Sequence, residues 1–296
     1  MPQFVAGDGA VLWYDVVGAG EPLLVLPGGP GMDARYLGDL GGLHRHRRLV
    51  RLHPRGTGRS ATPGVRETVA FTAQANDVEA LRRHLEWERM DLLAHSAGCL
   101  TAQEYAAAYP GRLRRAVLVA PVGRAQRETD AAELAALHDA RAGEPWYPAA
   151  IRAERALAAG STGEQGPTGG VDAAELARRI RPFAWYRWTG QRHGEYRAAH
   201  ACRHSWYRQA FYAGSATPDT LGGRLARLAG SGLRPLVIAG AADGLVGVAP
   251  AHAVAECHPG SRLAVLERSG HRPWVEEPES FRELVLQHLH EPAAAG

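Results

Sequence analysis

Ser96 stands among small residues in Ala94-His95-Ser96-Ala97-Gly98, behind the apolar Leu92 and Leu93 and ahead of an alanine-rich run. A strand that turns abruptly into a helix holds one side chain out in a strained conformation, and only small neighbours permit it. A serine at that corner lies near a helix N-terminus, whose unpaired N–H groups favour developing negative charge. Its hydroxyl is a weak nucleophile until a base takes the proton, and the base needs a carboxylate to fix its tautomer. Two later segments supply these groups. Asp243 lies in Gly240-Ala241-Ala242-Asp243-Gly244-Leu245-Val246, and His271 in Ser269-Gly270-His271-Arg272-Pro273-Trp274. Acyl transfer also needs donors for the oxyanion of a tetrahedral intermediate. The N–H of Ala97 is one, and Gly29 in Pro27-Gly28-Gly29-Pro30-Gly31 is the other, because glycines allow a tight backbone approach.

Each of these residues follows a short apolar run. The runs Val11 to Val17, Leu23 to Leu26, Leu49 to Leu52, Leu92 to Ala94, Ala116 to Ala120, Leu236 to Ala239 and Leu263 to Leu266 read as strands. Several are apolar throughout, as strands buried on both faces of a parallel sheet must be. Helical segments alternate with them, including Thr72 to Glu86 and a last helix behind Pro278 with Phe281, Leu284, Val285 and Leu289 on one face. Alternating strands and helices predict an α/β fold whose site lies at the carboxyl ends of the strands. The rhythm stops between Gly123 and Gly232. That stretch has helical pieces, a loop over Gly160 to Gly170, and Trp146, Trp185, Trp188 and Trp206. It predicts a helical cap at 123–232 inserted into a core formed by 1–122 and 233–296. The aromatic residues Trp185, Trp188, Trp206 and Tyr207 are expected as pocket walls, with Gly28 and Glu195 as further substrate contacts.

The 296 residues carry a net charge of +3, but all 34 basic residues are arginine and the 31 acidic residues are interspersed among them. That pattern does not make a nucleic-acid-binding surface. The N-terminus lacks the basic start and apolar stretch of a signal peptide, and no apolar run reaches the ~20 residues of a membrane span. Cys99, Cys202 and Cys257 are widely separated, which fits a reducing cytoplasm. His200-Ala201-Cys202-Arg203-His204 puts ligand types within one helical turn, yet no second cluster supports a metal site. Neither metal nor cofactor is expected, since a serine triad needs none. The expected partner is a small molecule or short peptide, met by a monomer or small homo-oligomer. Arg55-Gly56-Thr57-Gly58-Arg59 lacks the Gly-Lys-Ser/Thr ending of a phosphate loop and reads as a tight turn.

The order Ser96, Asp243, His271 is that of the α/β-hydrolase fold. Pro27-Gly28-Gly29-Pro30-Gly31 resembles the His-Gly-Gly-Pro-Gly of the proline iminopeptidase family within that fold. His53-Pro54-Arg55-Gly56-Thr57-Gly58-Arg59-Ser60 is similar to that family's Asp-Gln-Arg-Gly-x-Gly-x-Ser. The resemblance implies a mostly parallel eight-stranded sheet with a helical cap. It also implies removal of a small N-terminal aminoacyl group from a peptide or biosynthetic intermediate by a serine triad. The alternative is hydrolysis of an ester, thioester or lactone. The choice turns on the substrate ammonium, which family aminopeptidases hold with cap carboxylates, one of them in a Trp-Glu pair. Here the corresponding residues are Arg187-Trp188-Thr189, and His204 to Gln209 contains no acid. Glu195, Asp219 or a core carboxylate would have to substitute.

Overall fold

A computed structural model describes residues 2–60, 62–160, 173–192 and 206–290 of the chain. Glu195, the His200–His204 cluster and most of the glycine-rich loop after Gly160 lie outside the described residues. Eight strands form one sheet in the order β1-β2-β4-β3-β5-β6-β7-β8. They are β1 (Gln3–Val5), β2 (Val11–Val17), β3 (Pro22–Leu26), β4 (Arg48–His53), β5 (Met90–His95), β6 (Leu113–Val119), β7 (Leu236–Gly240) and β8 (Arg262–Leu266). The β1–β2 and β2–β4 pairs are antiparallel and the rest of the sheet is parallel. Seven strands match the apolar runs. The eighth, β1, is three residues long and shows no run to detect.

Alternation along the central strands sends side chains to opposite faces. Leu24, Leu26, Leu92, Ala94 and Leu118 meet α1 (Phe71–His84) and α2 (Gly98–Ala108) through Val78, Leu81, Ala102 and Tyr105. Leu23, Val25, Leu93, Val117 and Ile238 pack with Phe281, Val285 and Leu289 of the C-terminal helix Pro278–His290. Both faces are therefore covered, which is why these strands carry no polar alternation. After β3 the chain goes to β4 on one side, and β5 returns on the other side of β3. The β3–β5 boundary is thus a topological switch point, where such sheets open a crevice at their carboxyl ends. The loop at Gly28–Gly29 and the turn at Ser96 flank it.

Among the described residues, 123–232 contains no strand. It forms α3 (Ala131–Asp139), α4 (Tyr147–Gly160), α5 (Ala173–Arg179), the tight turn Arg181–Ala184, α6 (Tyr207–Tyr212) and α7 (Pro218–Ala229). Helix α7 starts with a Thr217/Thr220 capping box and Pro at its first position. It is tied to α2 by a buried ion pair between Arg224 and Glu104 at 2.6 Å. Among the described residues no helix is long and apolar enough to cross a membrane.

Candidate active site

Ser96 follows β5 with φ of +54°, a left-handed conformation that a non-glycine residue adopts at a cost. Its N–H donates to the Val119 carbonyl at 2.8 Å, so the sheet holds the strained residue in place. The neighbours must be small for a measurable reason. A Cβ on Gly28 would lie 2.6 Å from Ser96 Cβ, and one on Gly98 would lie 2.4 Å from the Pro27 carbonyl oxygen. Ala94, the departure from the usual motif, is fully buried in the sheet core, and its carbonyl accepts from the Cys99 thiol. Its methyl group is core packing and does not crowd the corner.

The three residues predicted from spacing meet. His271 Nε2 lies 2.9 Å from Ser96 Oγ, and His271 Nδ1 lies 2.6 Å from Asp243 Oδ2. An ionised carboxylate only accepts, so Nδ1 carries the proton and Nε2 is left to accept from the serine hydroxyl. The second oxygen of Asp243 takes the N–H groups of Leu245 (3.0 Å) and Val246 (3.3 Å), which fixes the carboxylate plane. Nucleophile, base and acid are buried, with exposures of 7%, 7% and 1%. Low solvent access strengthens each of these contacts.

The tight turn Arg181–Ala184 braces both partner loops. The Phe183 carbonyl accepts the Gly244 N–H at 2.9 Å, and the Ala184 carbonyl accepts the His271 N–H at 2.7 Å. His138 stacks on Phe183, with centroids 3.9 Å apart, and donates through Nε2 to the Gly244 carbonyl at 2.7 Å. Glu276 accepts from the N–H of Gly270, Tyr186 and Arg187, joining the base loop to the same stretch.

A second chain of hydrogen bonds runs behind the nucleophile. His95 Nε2 donates to the His271 carbonyl at 2.8 Å, which leaves His95 Nδ1 as an acceptor. Tyr36 Oη, 2.5 Å away, therefore donates to Nδ1, and the same oxygen accepts the Gly28 N–H at 2.8 Å. Burial above all, then the neighbouring His271, holds the His95 pKa well below its ordinary value, so the ring stays neutral. The Gly28 N–H is thus engaged. Gly29, with φ of +124°, and Ala97 keep N–H groups with no acceptor among the described residues, on either side of Ser96. Neither His95 nor Tyr36 carries a sequence signal of this role. Their roles depend on contacts 59 and 176 residues apart.

A cavity opens beside Gly28, Ala97 and Gly98, walled by Leu26, Leu52 and Phe211 and carrying the polar side chains Gln74 and Thr101. The other residues expected as pocket walls are dispersed. Trp185 is buried against the base loop, with the Arg192 and Arg272 guanidinium groups 4.9 and 5.6 Å from the centre of its ring. Tyr207 donates to the Arg55 carbonyl at 2.8 Å, and Trp206 stacks on it. Trp188 is half-buried and Asp219 is exposed.

Every buried carboxylate among the described residues has a cationic or imidazole partner. Asp33 binds Arg35, Asp91 binds Arg47, Asp15 binds Arg51, Asp77 binds Arg55, Glu79 binds Arg82, Glu104 binds Arg224, and Asp243 binds His271. The Arg55 turn is accordingly structural, with Asp8 as a second anchor at 2.6 Å. No group of three or more metal-ligating side chains lies together among the described residues.

A mostly parallel eight-stranded sheet with a strained serine after β5, an acid after β7 and a histidine after β8 defines an α/β hydrolase. The chain belongs to the alpha/beta hydrolase fold family, which it matches over residues 21–273. Over 122 residues it is 34% identical to the 2-hydroxy-6-oxo-2,4-heptadienoate hydrolase of Pseudomonas putida, a match spanning 38% of this chain and 42% of that one. Over 124 residues it is 36% identical to a probable proline iminopeptidase of Streptomyces coelicolor, spanning 38% and 37%. These matches thus cover about two fifths of each relative's length. The crystal structure of the proline iminopeptidase of Mycobacterium smegmatis superposes with a TM-score of 0.69 at 22% identity, covering 98% of this chain and 97% of that one.

Proposed function

We propose that the protein is a serine acyl hydrolase working through a covalent acyl-enzyme. His271 Nε2 takes the Ser96 proton as Oγ forms a bond to the acyl carbon, and the carbonyl electron pair moves onto oxygen. Gly29 and Ala97 N–H groups hold that oxyanion. Collapse of the intermediate expels the leaving group, which takes the proton from His271. Water then repeats the sequence on the acyl-enzyme, giving the acid and free serine. Asp243 keeps His271 in the required tautomer and stabilises its protonated form. The observation that carries this reading is the continuous Ser96–His271–Asp243 contact at 2.9 and 2.6 Å. A fluorophosphonate probe should label wild-type protein at Ser96 and leave Ser96→Ala unlabelled. Folded wild type that takes up no probe refutes the mechanism.

Two substrate readings follow from this chemistry. The Streptomyces coelicolor relative supports proline iminopeptidase-like removal of a small N-terminal aminoacyl group. The pairing of every buried described carboxylate favours the second, an ester, thioester or lactone without an ammonium. Aminoacyl naphthylamides compared with their N-acylated counterparts separate the two. Preference for the free amine supports the aminopeptidase reading, and equal turnover removes it. The stretch 123–232 serves in either case as the cap over the crevice.

A further inference from the structure

We propose that Gln74 and Thr101 form a subsite for a hydroxyl on the acyl group of the substrate, selecting short hydroxyacyl chains over alkyl ones. The inference rests on the acyl-transfer reading above and adds the identity of the acyl group to it.

The two side chains come from the neighbouring helices α1 and α2 and line one cavity. Thr101 stands one helical turn after Ala97, on the same face of α2. Ala97 and Gly28 border the cavity and flank the nucleophile. Ala97 is the chain neighbour of Ser96, and a Cβ on Gly28 would lie 2.6 Å from Ser96 Cβ. His271 does not line the cavity. A leaving group has to take its proton from His271 Nε2, so it departs on the histidine side. The cavity therefore lies on the side of the acyl chain. Leu26, Leu52, Pro54 and Phe211 give it apolar walls, and its volume of about 20 Å³ has room for one or two water-sized groups.

The polar atoms are what a purely alkyl pocket would not carry. Gln74 and Thr101 are only 6% and 4% exposed. The Gln74 amide nitrogen donates to the Val69 carbonyl at 2.6 Å, which identifies the other end of the amide as the oxygen. Among the described residues neither that oxygen nor the Thr101 hydroxyl has a hydrogen-bond partner. Polar atoms on such buried residues are normally paired, and two of them lining one cavity beside a nucleophile mark the place of a ligand group. Gln74 Oε1 only accepts, so that group must donate, whereas the Thr101 hydroxyl can do either. A substrate hydroxyl satisfies both at once, donating to Gln74 and accepting from Thr101. A ketone or ether would set one acceptor against another at Gln74. None of the residues lining the cavity is charged, so an ammonium would enter without a counter-charge and at a high desolvation cost.

Steady-state hydrolysis of phenyl esters that differ only by hydroxyl for methyl tests the subsite. The pairs are phenyl glycolate with phenyl propionate, and phenyl 3-hydroxypropionate with phenyl butyrate. Each kcat/KM is divided by the alkaline hydrolysis rate constant of the ester, which removes the inductive effect of the hydroxyl. An advantage of about tenfold or more for the hydroxyacyl ester is expected in at least one pair, because a methyl leaves the site's polar groups unpaired. Thr101→Val puts a methyl in place of the hydroxyl and breaks no hydrogen bond among the described residues. It should keep the wild-type Tm while the advantage falls toward unity. Gln74→Leu, which also gives up the bond to Val69, should lower the advantage as well. No advantage in either pair, or one that survives in both variants, overturns the proposal. A higher normalised kcat/KM for phenyl glycinate than for phenyl glycolate overturns the choice of a hydroxyl. Chemical-shift titration of the Ser96→Ala protein with glycolamide against propionamide, and with 3-hydroxypropionamide against butyramide, reads the subsite without turnover. Equal binding within both pairs overturns it. Tighter binding of a hydroxyamide that depends on Thr101, in a protein whose Ser96 takes up no fluorophosphonate, would keep the subsite and sink the acyl-transfer reading instead.

Discussion

Replacing Tyr36 by phenylalanine removes one oxygen atom and isolates two buried groups. The ring remains, so its contacts with the His95 ring at 5.7 Å and the Arg272 guanidinium at 4.7 Å persist. What is lost is the acceptor for Gly28 N–H and the donor to His95 Nδ1. A buried polar group left without its partner costs about 1–3 kcal/mol, so the pair predicts a loss of ~2–6 kcal/mol. For a chain of this size that corresponds to a fall in Tm of about 3–10 °C. The catalytic consequence is separate. Gly28 immediately precedes the proposed oxyanion donor Gly29, and losing such a donor outright costs about 100-fold or more in kcat. A loosened loop should cost less, about tenfold in kcat, with KM changed by less than about twofold. Thermal unfolding and steady-state hydrolysis of a phenyl ester measure the two effects on the same preparation. A Tyr36→Phe protein with unchanged Tm and unchanged kcat refutes the hydrogen-bond chain from Gly28 to His271. A lower Tm with unchanged kcat would show that the chain supports the fold and not the oxyanion loop.

Gly28→Ala places a methyl group where Ser96 Cβ and the His95 carbonyl already lie, 2.6 and 2.8 Å away. It should cut kcat by about 100-fold or more while soluble, folded protein is still recovered, as circular dichroism would verify. His258 is buried, and burial pushes its pKa from 6.5 down to about 4. The unfolded chain therefore binds the extra proton between these values. Stability present above pH 6.5 should decline as the pH falls toward 4, by ~3 kcal/mol in all from this group. Urea titrations of His258→Gln across that range should show a shallower decline than wild type, and parallel curves would contradict the assignment.

The sequence made the chemistry legible because the chemistry is local. Ser96, Asp243 and His271 each sit directly behind an apolar run, and a strand end followed by a small-residue corner is written in adjacent positions. The same holds for seven strands, each written as a short apolar run, and β3 and β7 carry no charged residue at all. What escaped is carried by distant contacts. Strand β1 exists because Gln3–Val5 pairs with Val11–Trp13, and three residues with one buried side chain give no period to detect. Tyr36 looks like any aromatic residue in a loop until the fold brings it to His95. The elbow histidine was visible, but its role depends on which nitrogen faces the His271 carbonyl. The expected aromatic lining fared differently from residue to residue. Trp185 and Tyr207 are held by the base loop and by the Arg55 turn, while Phe211, with no motif around it, is the aromatic side chain that borders the cavity.

The buried ion pairs also bear on the charge a substrate can carry. His53 occupies the buried end of β4, where its Nε2 lies 3.2 Å from Asp15, and Asp15 is bound to Arg51 as well. A substrate ammonium seeking a carboxylate there would have to displace a buried ion pair, which strands a guanidinium and costs several kcal/mol. Each of the other buried carboxylates among the described residues is likewise paired, so the second substrate class proposed, an ester, thioester or lactone without an ammonium, binds without breaking a buried ion pair.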